Sequence, residues 1–269
     1  MKAALSVKTP AKINLFLHVV GKRDDGYHLL ESLFAPLAVY DTITISPKKE
    51  ILVNSKIPNN ICYKVATHLK EAYDIKEGCE ITIQKQIPIA AGMGGGSSDA
   101  AAALLLLNIL WGLDLSHQDL LDHAVKMGAD VPFFIDPKCS FVSGIGELIE
   151  PLQIFKSYHI LVLNPNVAVS TPEVYKMGFS EFTDKIKSHE EIEDLILNGR
   201  NDLQNNAISL CPEIAQCLEF LQSQEGNITA RMNGSGATCF GIFKDQKSLE
   251  NAYNAVPKNW WKHHQLLEL

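Results

Sequence analysis

Chemistry is most concentrated in Pro88-Ile89-Ala90-Ala91-Gly92-Met93-Gly94-Gly95-Gly96-Ser97-Ser98-Asp99, which leads directly into the apolar run from Ala100 to Leu107. Glycines lack Cβ atoms, so such a turn can take positive φ and come close to a ligand. The amides opening the next helix then present the favourable end of its dipole to an anion. This makes a phosphate cradle; the competing reading is a flexible loop before a helix capped by Ser97. A P-loop is a poor match because no lysine precedes Ser97, and so is a dinucleotide fingerprint, whose third glycine is replaced by Ser97. Asp99 is expected in the first helical turn, where it would favour the dipole yet repel phosphate. Bound Mg²⁺ would ease that conflict, with the Ser98 hydroxyl as its possible ligand.

Other polar residues have a plain reading beside a chemical one. Lys12 reads as a solvated strand lysine, and Asn14 shares its face by the two-residue period of a strand. Asp130 reads as a turn residue after a helix ending at Gly128. Tyr27 and His28 follow Asp24-Asp25-Gly26, on a tight turn from which side chains can project. Asn60 suits a helix cap and Lys85 a solvated strand end.

The 269 residues carry 24 Lys+Arg against 31 Asp+Glu, a formal charge of −7 that argues against a nucleic-acid surface. No apolar run reaches the roughly 20 residues of a membrane span, and none at the N-terminus resembles a secretory signal, so a cytoplasmic chain is expected. The six cysteines form no CxxC pair and read as reduced, buried thiols. His spacing gives no support for zinc, and His263 and His264 read as solvated.

Strands are expected over residues 3–8, 12–20, 29–39, 42–46 and 80–84. Helices are expected after Asn59 or Asn60, from Ser97 to about Trp111, and from Ser116 to Gly128. Beyond a boundary near Pro151 come a strand at 159–163, a short helix after Thr171-Pro172, helices at 189–198 and 212–222, and paired strands around Gly234. The mixture predicts an α+β protein of two domains, 1–152 and 153–269, with the active site in the cleft between them.

Three segments carry a resemblance: Pro10-Ala11-Lys12-Ile13-Asn14-Leu15, the glycine-rich turn, and Arg231-Met232-Asn233-Gly234-Ser235-Gly236-Ala237. Together they resemble the kinase superfamily named for galactokinase, homoserine kinase, mevalonate kinase and phosphomevalonate kinase. Gly26-Tyr27-His28 and Gly128-Ala129-Asp130-Val131-Pro132-Phe133-Phe134 are similar to its branch acting on a methylerythritol carried on cytidine diphosphate.

The resemblance implies a two-domain enzyme that uses ATP and Mg²⁺ to phosphorylate the 2-hydroxyl of that small molecule, on the non-mevalonate route to isoprenoid precursors. By the same analogy the N-terminal domain binds ATP, Lys12 and Asp130 do the chemistry, and Pro88 to Ser98 surround the nucleotide phosphates. Asn60 and Lys85 would lie near the adenine. Tyr27 and Tyr175 would sandwich the cytosine while His28 reads its edge, and Asn14 and Thr171 would touch substrate. The alternatives are a sibling kinase acting on homoserine or mevalonate, and a non-catalytic nucleotide-binding module on the same fold. Neither nucleic acid nor membrane is expected as a partner, and the oligomeric state is not readable.

Overall fold

The structure is a computed structural model that describes residues 3–55, 57 and 60–269. Its Cα positions divide into two compact units. The first holds the chain up to Ala11, Ala38–Ile87 and Gly94–Pro137, and the second holds Lys12–Leu37, Pro88–Met93 and Lys138–Leu269. Two long strands, β1 (Leu5–Lys22) and β2 (His28–Lys48), contribute residues to both units. Each was expected as two strands. Pro10 does not interrupt β1, and Asp41 continues β2 because its carboxylate finds backbone partners inside the fold.

In the first unit the later part of β2 pairs antiparallel with β4 (Gly78–Gln84), from Thr42 opposite Gln84 to Lys48 opposite Gly78. The short β3 (Leu52–Asn54) lies parallel to β4. Against this sheet stand α1 (Ile61–Ala72), α2 (Gly95–Trp111) and α3 (His117–Met127), followed by a 3₁₀ turn at Pro132–Ile135. Asn60 caps α1, its Oδ1 accepting the Cys62 amide at 2.9 Å; Asn59 lies outside the described residues. Ser116 and Asp119 form a reciprocal capping box on α3, which stops at Gly128.

The α2 helix is apolar on all sides through its middle: Ala100, Ala101, Ala103, Leu104 and Leu107 are fully buried, while Gly96 at its start and Ile109 near its end are exposed. It begins two residues before the expected Ser97, because Gly94 at φ +70° turns the chain into the helix without a side-chain cap. Asp99 therefore falls in the second turn, buried, and not in the first.

In the second unit β1 and β2 pair through the turn at Arg23–Tyr27, and β2 continues to β5 (Ser140–Ser143) and β6 (Leu148–Pro151). A separate four-stranded sheet has the order β10-β7-β9-β8, formed by β7 (Ser157–Asn164), β8 (Asn227–Met232), β9 (Cys239–Phe243) and β10 (Trp261–Glu268). Its helices are α4 (Thr171–Lys176), α5 (His189–Asn198), α6 (Gln204–Leu210), α7 (Glu213–Ser223) and α8 (Gln246–Ala255). The apolar faces of α4, α6, α7 and α8 close on Leu161, Leu163, Cys239 and Phe243.

His263 and His264 are half-buried on β10, against expectation. His263 bonds Gln265, and the His264 ring lies 4.5 Å from that of Tyr253. All six cysteines are free, five of them buried, and burial pushes the Cys62 thiol beyond the ordinary range of thiols. Among the described residues, no helix is long and apolar enough to cross a membrane.

Because Ala103 is fully buried in the middle of α2, adding volume there has no outlet. Ala103→Leu is expected to lower the unfolding free energy by about 1–3 kcal/mol, read from the urea midpoint at unchanged slope.

Candidate active site

In the second unit, three segments far apart in sequence meet around Asn233. Its Oδ1 accepts the Asn14 amide at 2.7 Å, while its Nδ2 donates to the carbonyls of Lys12 at 3.3 Å and Gly92 at 3.2 Å. The Lys12 amide donates to the Met93 carbonyl at 3.0 Å, and the Thr238 amide to that of Ala91 at 3.4 Å. At Gly92, φ is +72° and a Cβ would stand 2.6 Å from the Asn233 carbonyl oxygen, so only glycine fits. Asn201 completes the frame, donating to the carbonyls of Met232 and Gly234 at 2.8 Å each.

Lys12 is not solvated: it is 4% exposed, its ammonium lies 4.5 Å from the centroid of the Phe34 ring, and it donates to Asn14 Oδ1. Asn14 is turned the same way along β1 and gives its amide hydrogen to Ser32 Oγ at 2.9 Å. Arg231 of the third segment is also buried. It donates to the carbonyls of Leu15 and of Leu195, Ile196 and Leu197, closing the C-terminal end of α5, and burial lowers its pKa to about 10.

Tyr27 stands 60% exposed at the end of its turn, and His28 opens β2. The His28 ring stacks on Tyr175 at 5.3 Å and meets the edge of Phe179 at 5.0 Å. Burial, then the charge of Lys22, lowers its pKa and favours the neutral ring. Thr171 Oγ1 lies 2.6 Å from Ser235 Oγ, joining the start of α4 to the loop after β8.

The first unit holds Asn60, Lys85, Gly94–Ser98 and Asp130. Ser98 is fully buried; its hydroxyl donates to the Pro10 carbonyl at 2.6 Å, and Thr9 donates to the Ser98 carbonyl at 3.0 Å. Ser98 is thus committed to holding β1 against α2, and neither serine caps the helix. Asp130 is half-buried in the turn that runs from Gly128 into the 3₁₀ segment. Lys85 is no solvated strand end. It is ion-paired with Asp41 and, at 2.8 Å, with Asp99, and these carboxylates outweigh burial to hold its pKa above the usual value.

Pro88, Ile89, Ala90 and Ala91 lead into Gly92 and Met93, and the chain then enters α2 through Gly94, Gly95, Gly96 and Ser97. Ile89 is exposed. Sequence reasoning missed Asn201, Ser32, Asp41 and Phe179; only Asn233 lay inside a quoted motif, and there it reads as half of an Asn-Gly turn.

The family model for the GHMP kinases N terminal domain matches residues 60–136, and that for GHMP kinases C terminal matches residues 181–263. A 4-diphosphocytidyl-2-C-methyl-D-erythritol kinase of Polynucleobacter asymbioticus is 37% identical over 273 residues, covering 96% of this chain and 91% of the relative. One from Wolbachia pipientis wMel is 39% identical over 277 residues, covering 95% and 96%. A crystal structure of 4-(cytidine 5'-diphospho)-2C-methyl-D-erythritol kinase superposes with a TM-score of 0.85 at 31% identity, covering 98% of this chain and all of the other.

The chain belongs to the 4-diphosphocytidyl-2-C-methyl-D-erythritol kinase family.

It is accordingly a small-molecule kinase of α+β fold, and membership of the GHMP kinases implies ATP as co-substrate.

One carboxylate of this kinase has an unusual titration. Burial, opposed by Lys85, pushes Asp99 up to about 7 from 3.8. The native state then holds a proton that the unfolded chain releases, so this group's stabilisation is full below about pH 4 and is lost as pH rises through about 7. Asp99→Asn is expected to remove that part of the slope, seen as a difference between wild-type and variant urea midpoints across this range.

Proposed function

We propose that this kinase transfers the γ-phosphoryl group of ATP to the 2-hydroxyl of 4-diphosphocytidyl-2-C-methyl-D-erythritol, on the non-mevalonate route to isoprenoid precursors. The aromatic group formed by His28 and Tyr175, with Tyr27 on the adjoining turn, is the observation that carries this reading. Stacking holds any base, and a neutral His28 can add the hydrogen bond that discriminates cytosine. A kinase of homoserine or mevalonate has no base to stack, and a non-catalytic module has no need of a reactive lysine and aspartate.

Phosphoryl transfer needs an aligned hydroxyl, a group to take its proton, and positive charge near the moving phosphoryl group. Asp130 is assigned the proton and Lys12 the charge; Asn14, whose position Ser32 and Asn233 hold, is assigned to the acceptor hydroxyls. Tyr27 and Tyr175 are assigned to the cytosine, and Thr171 to the substrate beside Ser235. Pro88 to Ser98 are assigned to the ATP phosphates, and Asn60 and Lys85 to the adenine end. The nucleotide then belongs to residues 1–152 and the second domain to 153–269, a division consistent with the two matched family models. Its setting is the cytoplasm, where ATP is supplied.

Magnesium bridges nucleotide phosphates and offsets their charge in such kinases. Among the described residues no group of three or more His, Cys, Asp or Glu could hold a metal ion, and the Ser98 hydroxyl is already donated. These residues do not fit a protein cage for the ion, and no role here depends on one.

Purified protein is offered ATP with the cytidyl substrate, with homoserine and with mevalonate, and ADP release is followed. Release with the first alone is expected; release with either of the others, or with none, overturns the assignment. Asp130→Ala is expected to fold and to lose about 10²-fold or more in turnover. His28→Ala is expected to raise the KM of the cytidyl substrate while leaving that of ATP unchanged, both read from initial rates.

A further inference from the structure

Asp41 lies within β2 and is fully buried. Its Oδ1 accepts the amides of Gln86 at 2.6 Å and Ile87 at 2.9 Å, just beyond the end of β4, and its Oδ2 accepts the Lys85 ammonium. The same ammonium donates to Asp99 Oδ2 in the second turn of α2. At the first residue of α2, a Cβ added to Gly95 would stand 3.2 Å from Lys85 Nζ and 2.9 Å from Ile87 Cγ2. One carboxylate thus ties together a strand, the exit of its neighbour and, through a lysine, the start of the glycine-opened helix.

Stability alone does not account for such a triad. Two buried carboxyl groups share one ammonium beside a helix start, and apolar residues of equal volume often serve stability as well or better. The arrangement does fix a positive charge close to Gly95, the first residue of α2. A charge in that place acts directly on an anion bound at the helix start.

We propose that Asp41 is a positioning residue of the nucleotide site, acting through Lys85 and the 86–87 backbone to hold the helix start in the geometry that receives ATP phosphates. The proposal rests on the assignment of the glycine turn to ATP.

Asp41→Asn keeps an acceptor for the two amides and removes the anionic partner of Lys85. It is expected to raise the KM for ATP about tenfold while the KM for the cytidyl substrate stays within about twofold. Placed in a Lys85→Met background, the same change is expected to add no further loss for ATP, since the two side chains act as one.

An ATP KM within twofold of wild type overturns the proposal, as does a parallel rise in both KM values, or full additivity with Lys85→Met. If Asp41→Asn does not fold, Asp41→Glu, which keeps the charge but displaces the carboxylate, is judged by the same two KM values.

Gly96→Val separates failure of the proposal from failure of the ATP assignment. A Cβ there meets nothing within 4 Å, so the backbone admits a side chain that fills the space above the turn, and folding of the variant is checked by its urea midpoint. If Gly96→Val raises the ATP KM and the Asp41 variants do not, the positioning role alone is wrong. If Gly96→Val also leaves it unchanged, the assignment of the turn falls, and the proposal with it.

Discussion

The second unit depends on one side-chain amide. Asn233 acts as donor and acceptor at once, so it can take the Asn14 amide on one side and the carbonyls of Lys12 and Gly92 on the other. All of these groups are buried, and a buried backbone group left unpaired costs about 1–3 kcal/mol. An aspartate offers no donor and a leucine offers neither role. The closeness of the Gly92 backbone, which admits no Cβ, follows from the same contact. The first and third sequence motifs lie side by side because a single carboxamide satisfies both.

Three cations are each partnered in a different way. Lys12 rests on the Phe34 ring and donates to Asn14, Lys85 is held by two carboxylates, and Arg231 donates to a row of main-chain carbonyls. The differences suit what each can do. Carbonyls at a helix end bind a guanidinium by shape and give it no mobile partner, which matches a structural role. A lysine on an aromatic face and an amide oxygen has no carboxylate to neutralise it among these contacts.

Sequence legibility followed local signals. Ser116 and Gly128 gave α3 its limits, and α5 was expected over 189–198, where the structure has it, with Ser188 accepting the Glu191 amide. Where the deciding interaction is tertiary, the reading failed. Pro10 and Asp41 look like interruptions, yet β1 and β2 pass through both, because the Pro10 carbonyl has Ser98 as donor and Asp41 has two amides and a lysine. His263 and His264 read as solvated, yet they lie half-buried on an edge strand paired with β7. At the site, the shared face of Lys12 and Asn14 was readable from strand period. Asn201, Phe179 and Asp41 were not, since nothing adjacent to them in sequence records what they touch.

The sulfur atoms have a consequence of their own. Five of the six cysteines are sealed within packed regions, and burial holds the thiols of Cys62, Cys79, Cys211 and Cys239 in the protonated form, which is a poor nucleophile. An alkylating reagent therefore has to wait for the interior to open. The pace at which each sulfur is modified becomes a clock for the local breathing of its own neighbourhood, with Cys62 and Cys79 timing one unit and Cys211, Cys217 and Cys239 the other.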